Sequence, residues 1–244
     1  MKISPTLTEV KEIAKTGKYD ILPVSCEILS DFITPIEAMR ILQNVSTHCY
    51  LLESAQANEA WGRYTFLGYD PKLEINCIDG HMKLGKLSVE TENPSEYIRQ
   101  ILSEYKSPKF DYLPSFTGGL VGYFSYDYLG YKEKSIRGKA RDTEDFKDVD
   151  LMLFDKVIAF DNLCQKIILI ANMSLDAPET GYNKAIVELK QLRELLMHGE
   201  KKQNMGGKLL GEVTPLFEKE QYCEMVEKAK QHSATAVKMD AQPP

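Results

Sequence analysis

Long apolar runs are missing from this 244-residue sequence, and a stretch such as Ile167 to Ala171 falls far short of the roughly 20 residues a bilayer crossing needs. The opening residues Met1-Lys2-Ile3-Ser4-Pro5 lack the apolar segment of a secretory signal. Clusters of Lys and Arg are missing too. The 30 basic residues are interspersed among 36 acidic ones for a formal charge of −6, which argues against a nucleic-acid partner, because phosphate neutralisation needs a concentrated basic footprint. Paired cysteines are absent: Cys26, Cys49, Cys77, Cys164 and Cys223 are odd in number and widely separated, which fits reduced thiols better than a disulfide framework or a zinc site. His48, His81, His198 and His232 form no paired-ligand spacing such as H-E-x-x-H. Gly206-Gly207-Lys208 is followed by Leu209, where a phosphate-binding loop requires Ser or Thr. These absences lead to the expectation of a cytoplasmic protein with no membrane or nucleic-acid partner and no metal held by its own residues.

What is present is a core and a regular grammar of elements. With 43% hydrophobic residues the chain has ample material to bury. Thr6 and Glu9 make a capping box ahead of Leu7, Val10, Ile13 and Ala14 at helical spacing, and Gly17 follows as a stop. Thr34-Pro35-Ile36-Glu37 and Asn93-Pro94-Ser95-Glu96 repeat the signal of N-cap, N1 proline and N3 glutamate before two further helices. Strands are expected over Ile21–Ile28, Cys49–Glu53 and Arg63–Tyr69. Asp79-Gly80 joins Leu73–Ile78 to His81–Leu87 in a hairpin, because that pair tolerates the positive φ angles of a type I′ turn. Leu151–Asp161, Asp161-Asn162 and Lys166–Ala171 read as a second hairpin. Hairpins outnumber crossovers, so the predicted fold class is α+β, a largely antiparallel sheet with flanking helices. Ile186, Leu189, Arg193 and Leu196 share a helical face, and a polar, glycine-containing stretch then reads as a linker. Phe217, Tyr222, Met225, Val226 and Ala229 mark a last helix, and Gln231 to Pro244, without an amphipathic pattern, is expected to fray.

Two stretches invite chemistry. Leu51-Leu52-Glu53-Ser54 ends a strand in a carboxylate and a hydroxyl, close in sequence to Gly62-Arg63-Tyr64-Thr65-Phe66-Leu67-Gly68. Such a corner could grip the polar groups of a small zwitterion, but the residues alone equally describe a strand that stops at the surface. Trp61 and Arg63 are open in the same way, between ligand contact and ordinary core aromatic or surface cation. Gly118-Gly119-Leu120-Val121-Gly122, leading into Tyr123 and Phe124, reads as close backbone approach entering a strand. The acidic run Arg141 to Asp150 lacks the glycine and terminal glutamate of a calcium loop and reads as solvated.

Taken together and in order, Leu51–Ser54, Gly62–Gly68, Pro114–Asp127 and Val157–Asp161 resemble the large subunit, component I, of anthranilate synthase. The resemblance runs from about Ile21 to about Lys230, and Phe217–Lys230 looks like the start of that family's chorismate-binding half. It implies the N-terminal part of an αββα sandwich, with residues 1–198 a tryptophan-sensing domain, 199–215 a linker, 216–230 the opening of the chorismate-binding domain and 231–244 a divergent tail. The family reaction turns chorismate, with ammonia from a glutaminase subunit (component II) and magnesium, into anthranilate and pyruvate. The residues that perform it belong to a half not matched here, so the resemblance implies a truncated, inactive chain with no catalytic or metal-binding residue carried over. Leu52, Glu53 and Ser54 match the stretch lining the family's L-tryptophan feedback site, and they are the candidate binding residues. Component I of aminodeoxychorismate synthase, from folate synthesis, and a noncatalytic tryptophan-binding or interaction module remain the alternatives.

Overall fold

The structure is a computed structural model that describes residues 2–54, 62–135, 145–203 and 206–240, the last eight of these by backbone alone. Trp61 and the first four residues of the acidic run lie outside the described residues. The chain divides into two units, 1–203 and 204–244.

The first unit holds two sheets, and every strand pairing in both is antiparallel. Along the chain come β1 (Ile3–Ser4), α1 (Leu7–Lys15), β2 (Ile21–Leu29), α2 (Pro35–Val45), β3 (Cys49–Leu52), β4 (Tyr64–Tyr69), β5 (Leu73–Ile78), β6 (His81–Leu84), β7 (Leu87–Glu90) and α3 (Pro94–Ser103). There follow β8 (Gly119–Phe124), a 3₁₀ segment (Tyr126–Tyr131), β9 (Val149–Phe154), β10 (Lys156–Asp161), β11 (Lys166–Ser174) and α4 (Pro178–His198). The six-stranded sheet has the order β1-β2-β11-β10-β4-β3 and the five-stranded sheet the order β7-β6-β5-β9-β8. The predicted α+β class with antiparallel pairing is what the chain adopts.

Local chemistry explains the elements. Both capping boxes form: the Glu9 and Glu37 amides donate to Thr6 Oγ1 and Thr34 Oγ1, and each glutamate accepts in return from its N-cap amide. Asn93 departs from the prediction and makes no side-chain cap, since its Oδ1 accepts from the Ser95 hydroxyl at 2.7 Å instead. Asp79 and Gly80 take φ of 48° and 85°, as a type I′ turn between β5 and β6 requires. At Gly122, with φ of 154°, an added Cβ would fall 1.9 Å from the Asp150 carbonyl oxygen, so only glycine lets β8 approach β9 there.

Leu151 to Asp161, read from the sequence as one strand, is two. The chain leaves the five-stranded sheet at Phe154 and enters the six-stranded one at Lys156. The hinge is Asp155, whose carbonyl accepts from the Asn172 amide at 2.8 Å and from Asn172 Nδ2 at 3.0 Å. The only local mark of the switch is the polar pair Asp155-Lys156 between two apolar stretches, and with no glycine or proline there the chain reads as one strand. The acidic run is likewise less solvated than predicted at its end, because Val149 and Asp150 belong to β9, and Asp148 accepts from the Asp79 amide and the Tyr131 hydroxyl.

Helices α1, α2 and α4 cover one face of the six-stranded sheet around Leu22, Val24, Leu67, Ile167 and Leu169, all wholly buried. Its other face packs Val157, Ala159, Ile168 and Ile170 against Leu113, Phe110 and Phe116. The polar stretch after α4 begins tied to α2: Asn44 Nδ2 donates to the Glu200 carbonyl and the Lys202 amide to the Arg40 carbonyl.

The second unit contains α5 (Lys219–Asp240), which the sequence reading ends near Lys230. Its continuation meets no glycine or proline before Pro243, so nothing interrupts the helical ladder there.

Candidate functional site

Strand β3 is an edge strand, and among the described residues β4 is its only hydrogen-bonded neighbour. The register places Tyr50 opposite Gly68 and Leu52 opposite Phe66. Leu52 is the last residue of the strand and is half exposed; Glu53 and Ser54 continue past it and are exposed. The three predicted binding residues therefore follow one another at one corner of the six-stranded sheet.

Side chains alternate along a strand, so Tyr50 and Leu52 share the face that carries Phe66. That face is aromatic. Tyr50 meets Phe154 edge-on with centroids 4.7 Å apart and Phe116 at 6.4 Å, Phe66 meets Phe116 at 5.6 Å, and Tyr64 tilts on Phe66 at 5.8 Å. Gly68 makes room for this arrangement, because a Cβ there would come within 2.2 Å of the Tyr50 ring. The Tyr50 hydroxyl is buried with no hydrogen-bond partner among the described residues, and burial pushes its phenol above the usual range. Nothing in the sequence singled out Tyr50; a tyrosine opposite a glycine across two strands is visible only once the register is known.

Behind the corner sits Arg63, open in the sequence between ligand contact and surface cation. Its guanidinium forks onto Asp161, Nε at 3.1 Å and Nη2 at 2.8 Å, and lies over the Tyr64 ring at 4.9 Å. The Asp161 side chain is wholly buried and also accepts from the amides of Leu163 and Cys164. Burial alone would raise this carboxyl, but the Arg63 and Cys164 hydrogen bonds outweigh it and hold it below its ordinary value. The Asp161-Asn162 turn signal was legible; the buried ion pair was not. Trp61 lies outside the described residues.

Other concavities lie away from this corner. A cleft of about 430 Å³ beside α4 is lined by Asp70, Lys156, Lys184 and Glu188 among others, and those charges pair within it, Lys156 with Asp70 at 2.8 Å and Lys184 with Glu188 at 3.8 Å. Among the described residues no group of three or more His, Cys, Asp or Glu side chains is placed to hold a metal ion. No described helix is long and apolar enough to cross a membrane.

Comparison with known proteins agrees with the placement of the motifs. The pattern of the chorismate binding enzyme family matches residues 47–236. Anthranilate synthase component 1 of Acetivibrio thermocellus is 32% identical over 93% of this chain and 48% of its own length. The Pseudomonas aeruginosa protein of the same name is 36% identical over 77% of this chain and 39% of its own. A crystal structure of anthranilate synthase component I from Streptococcus pneumoniae superposes on 68% of this chain and 36% of that one, with 25% identity and a TM-score of 0.45. The chain spans about half the length, or less, of the curated relatives it matches. It belongs to the chorismate binding enzyme family, and over most of its length it is similar to component I of anthranilate synthase.

Proposed function

We propose that this chain is the tryptophan-sensing part of an anthranilate synthase component I, acting in tryptophan biosynthesis, with L-tryptophan held at the end of β3. The observation that carries the reading is the juxtaposition at one sheet corner of exposed Leu52, Glu53 and Ser54 with an aromatic face. An indole packs on Leu52 and the neighbouring aromatic rings, a carboxylate such as Glu53 receives an ammonium group, and a serine hydroxyl hydrogen-bonds a ligand carboxylate or amine. Feedback inhibition by the pathway's end product is the function such a site serves in the whole enzyme, whose catalysis with magnesium and whose glutaminase partner, component II, belong to the same reading.

Calorimetry with L-tryptophan on the chain and on Ser54→Ala tests it. Saturable binding that weakens about tenfold in the variant, ~1.4 kcal/mol, is the expected result. Absence of binding by the unsubstituted chain overturns the proposal. The reading also assigns turnover to regions beyond these 244 residues. Anthranilate formation from chorismate, ammonium and magnesium by this chain alone overturns that part.

A further inference from the structure

We propose that Asp161 is a positioning residue for the tryptophan site, its buried carboxylate setting through Arg63 the end of β4 on which the corner of β3 rests. This deepens the reading just given and depends on it. The starting observation is where buried polarity collects. Ser25, Thr65 and Asp161 are the buried polar or charged residues among those described, and two of the three lie on the paired strands β4 and β10, Thr65 opposite Phe160 and Asp161 opposite Tyr64.

A buried carboxylate with no net role beyond closing its own turn would be satisfied by turn amides. Asp161 does accept from the Leu163 amide at 3.2 Å and the Cys164 amide at 3.0 Å. Its other two hydrogen bonds go to Arg63, which lies outside that turn, immediately before β4. Asn162 reinforces the link from the same turn: its amide donates to the Arg63 carbonyl at 2.9 Å, and its Nδ2 reaches the Gly62 carbonyl and Thr65 Oγ1, each at 3.4 Å. Residues 62–65 are thus held from the β10–β11 turn at several points.

The connection onward to the ligand corner is continuous. The Arg63 guanidinium covers the Tyr64 ring, Tyr64 tilts on Phe66, and Phe66 is the cross-strand partner of Leu52. Because β4 alone hydrogen-bonds β3 among the described residues, whatever fixes the end of β4 fixes the base of Leu52, Glu53 and Ser54. The effect of Asp161 on a ligand at this corner therefore travels through Arg63.

The test is a double-mutant cycle on the full chain, with L-tryptophan affinity read by calorimetry and folding by thermal melts. Asp161→Asn keeps the shape but cannot receive the guanidinium fork. It is expected to weaken tryptophan binding at least tenfold at a temperature where the variant remains folded. In a Ser54→Ala background the same change is expected to cost less than threefold further, because the geometry it disturbs serves the contact already removed. A merely structural role lowers the melting temperature and leaves affinity or additivity untouched; either outcome overturns the proposal. If Asp161→Asn does not fold, Arg63→Lys, which keeps the charge but loses the fork, carries the test, and unchanged affinity in that variant overturns it. Tryptophan binding by the unsubstituted chain with no response to either variant defeats this inference alone, whereas no binding by the unsubstituted chain defeats the tryptophan reading and this inference with it.

Discussion

The six-stranded sheet is covered on both faces, by α1, α2 and α4 on one side and by Phe110, Leu113 and Phe116 on the other. The five-stranded sheet has one small buried cluster, around Ile75, Cys77, Met82 and Val149, packed against α3. Its edge strand β8 carries Tyr123 and Phe124 at 40% and 49% exposure. The sequences of their strands record the difference. Val157-Ile158-Ala159-Phe160 and Ile167-Ile168-Leu169-Ile170 are apolar at every position, whereas Leu73-Glu74-Ile75-Asn76-Cys77 alternates. Antiparallel strands can therefore read as continuous apolar runs when both faces are packed, a pattern more often associated with parallel sheets.

If coverage sets local stability, truncation in the centre of the six-stranded sheet should cost most. Leu169→Ala, at a fully buried position on β11, is expected to destabilise by about 4 kcal/mol. Ile75→Ala, equally buried but in the thinner cluster that can relax, should cost about 2–3 kcal/mol. Urea unfolding of the two variants decides the matter, and equal losses would dissolve the contrast.

The glycines sharpen it from the backbone side. Gly122→Ala puts a Cβ against the Asp150 carbonyl, backbone that can yield only by separating β8 from β9, at a cost of about 3 kcal/mol. Gly68→Ala meets instead the ring of Tyr50, a side chain able to swing, and about 2 kcal/mol is expected. Amide exchange across β8 and β9 should rise in the first variant and stay as in the unsubstituted chain in the second.

At the corner where β3 ends the contrast is electrostatic. Asp161→Asn should remove about 2 kcal/mol near neutral pH, since the exposed side of Arg63 can still find water. The folded-state carboxyl lies below its ordinary 3.8, so its contribution is complete above that value and is lost as pH falls through the lower, folded-state value. The stability gap between the two proteins should accordingly be constant above about pH 5 and close in stronger acid, where the unsubstituted chain also carries a neutral group. A gap independent of pH down to acid unfolding would show that shape, not charge, is what Asp161 supplies.

Much of the fold was legible because its signals are local. Thr6, Thr34, Asp79 and Gly80 announce their caps and turn within four residues, and hydropathy announces the strands. The sheet switch at Asp155 escaped because no glycine or proline marks it, and the partner that fixes it, Asn172, is remote in sequence. The candidate site divides in the same way. Leu52, Glu53 and Ser54 were legible as a strand end, and resemblance gave them a ligand. Tyr50 over Gly68 and Arg63 on Asp161 depend on register between strands, which no short-range pattern encodes.

The smallest expected effect separates the helices that cover the two sheets. Thr34 at the start of α2 accepts from the Glu37 amide at 3.3 Å and donates its own amide to Glu37 Oε2 at 3.2 Å. Hydrogen bonds from Lys201 and from the Thr34 amide hold the Glu37 carboxyl below its usual range and keep it available as an acceptor. Thr34→Ala removes one half of this exchange and should cost about 1 kcal/mol. Asn93 at the start of α3 has ψ of 72° and spends its Oδ1 on the Ser95 hydroxyl, so no helix amide depends on its side chain. Asn93→Ala should then cost only a few tenths of a kcal/mol, below the ordinary penalty for losing an N-cap asparagine. Both helices begin with the same sequence grammar, so a loss at Asn93 as large as that at Thr34 would mean that cap identity, and not the hydrogen bond actually formed, sets the stability of these helix starts.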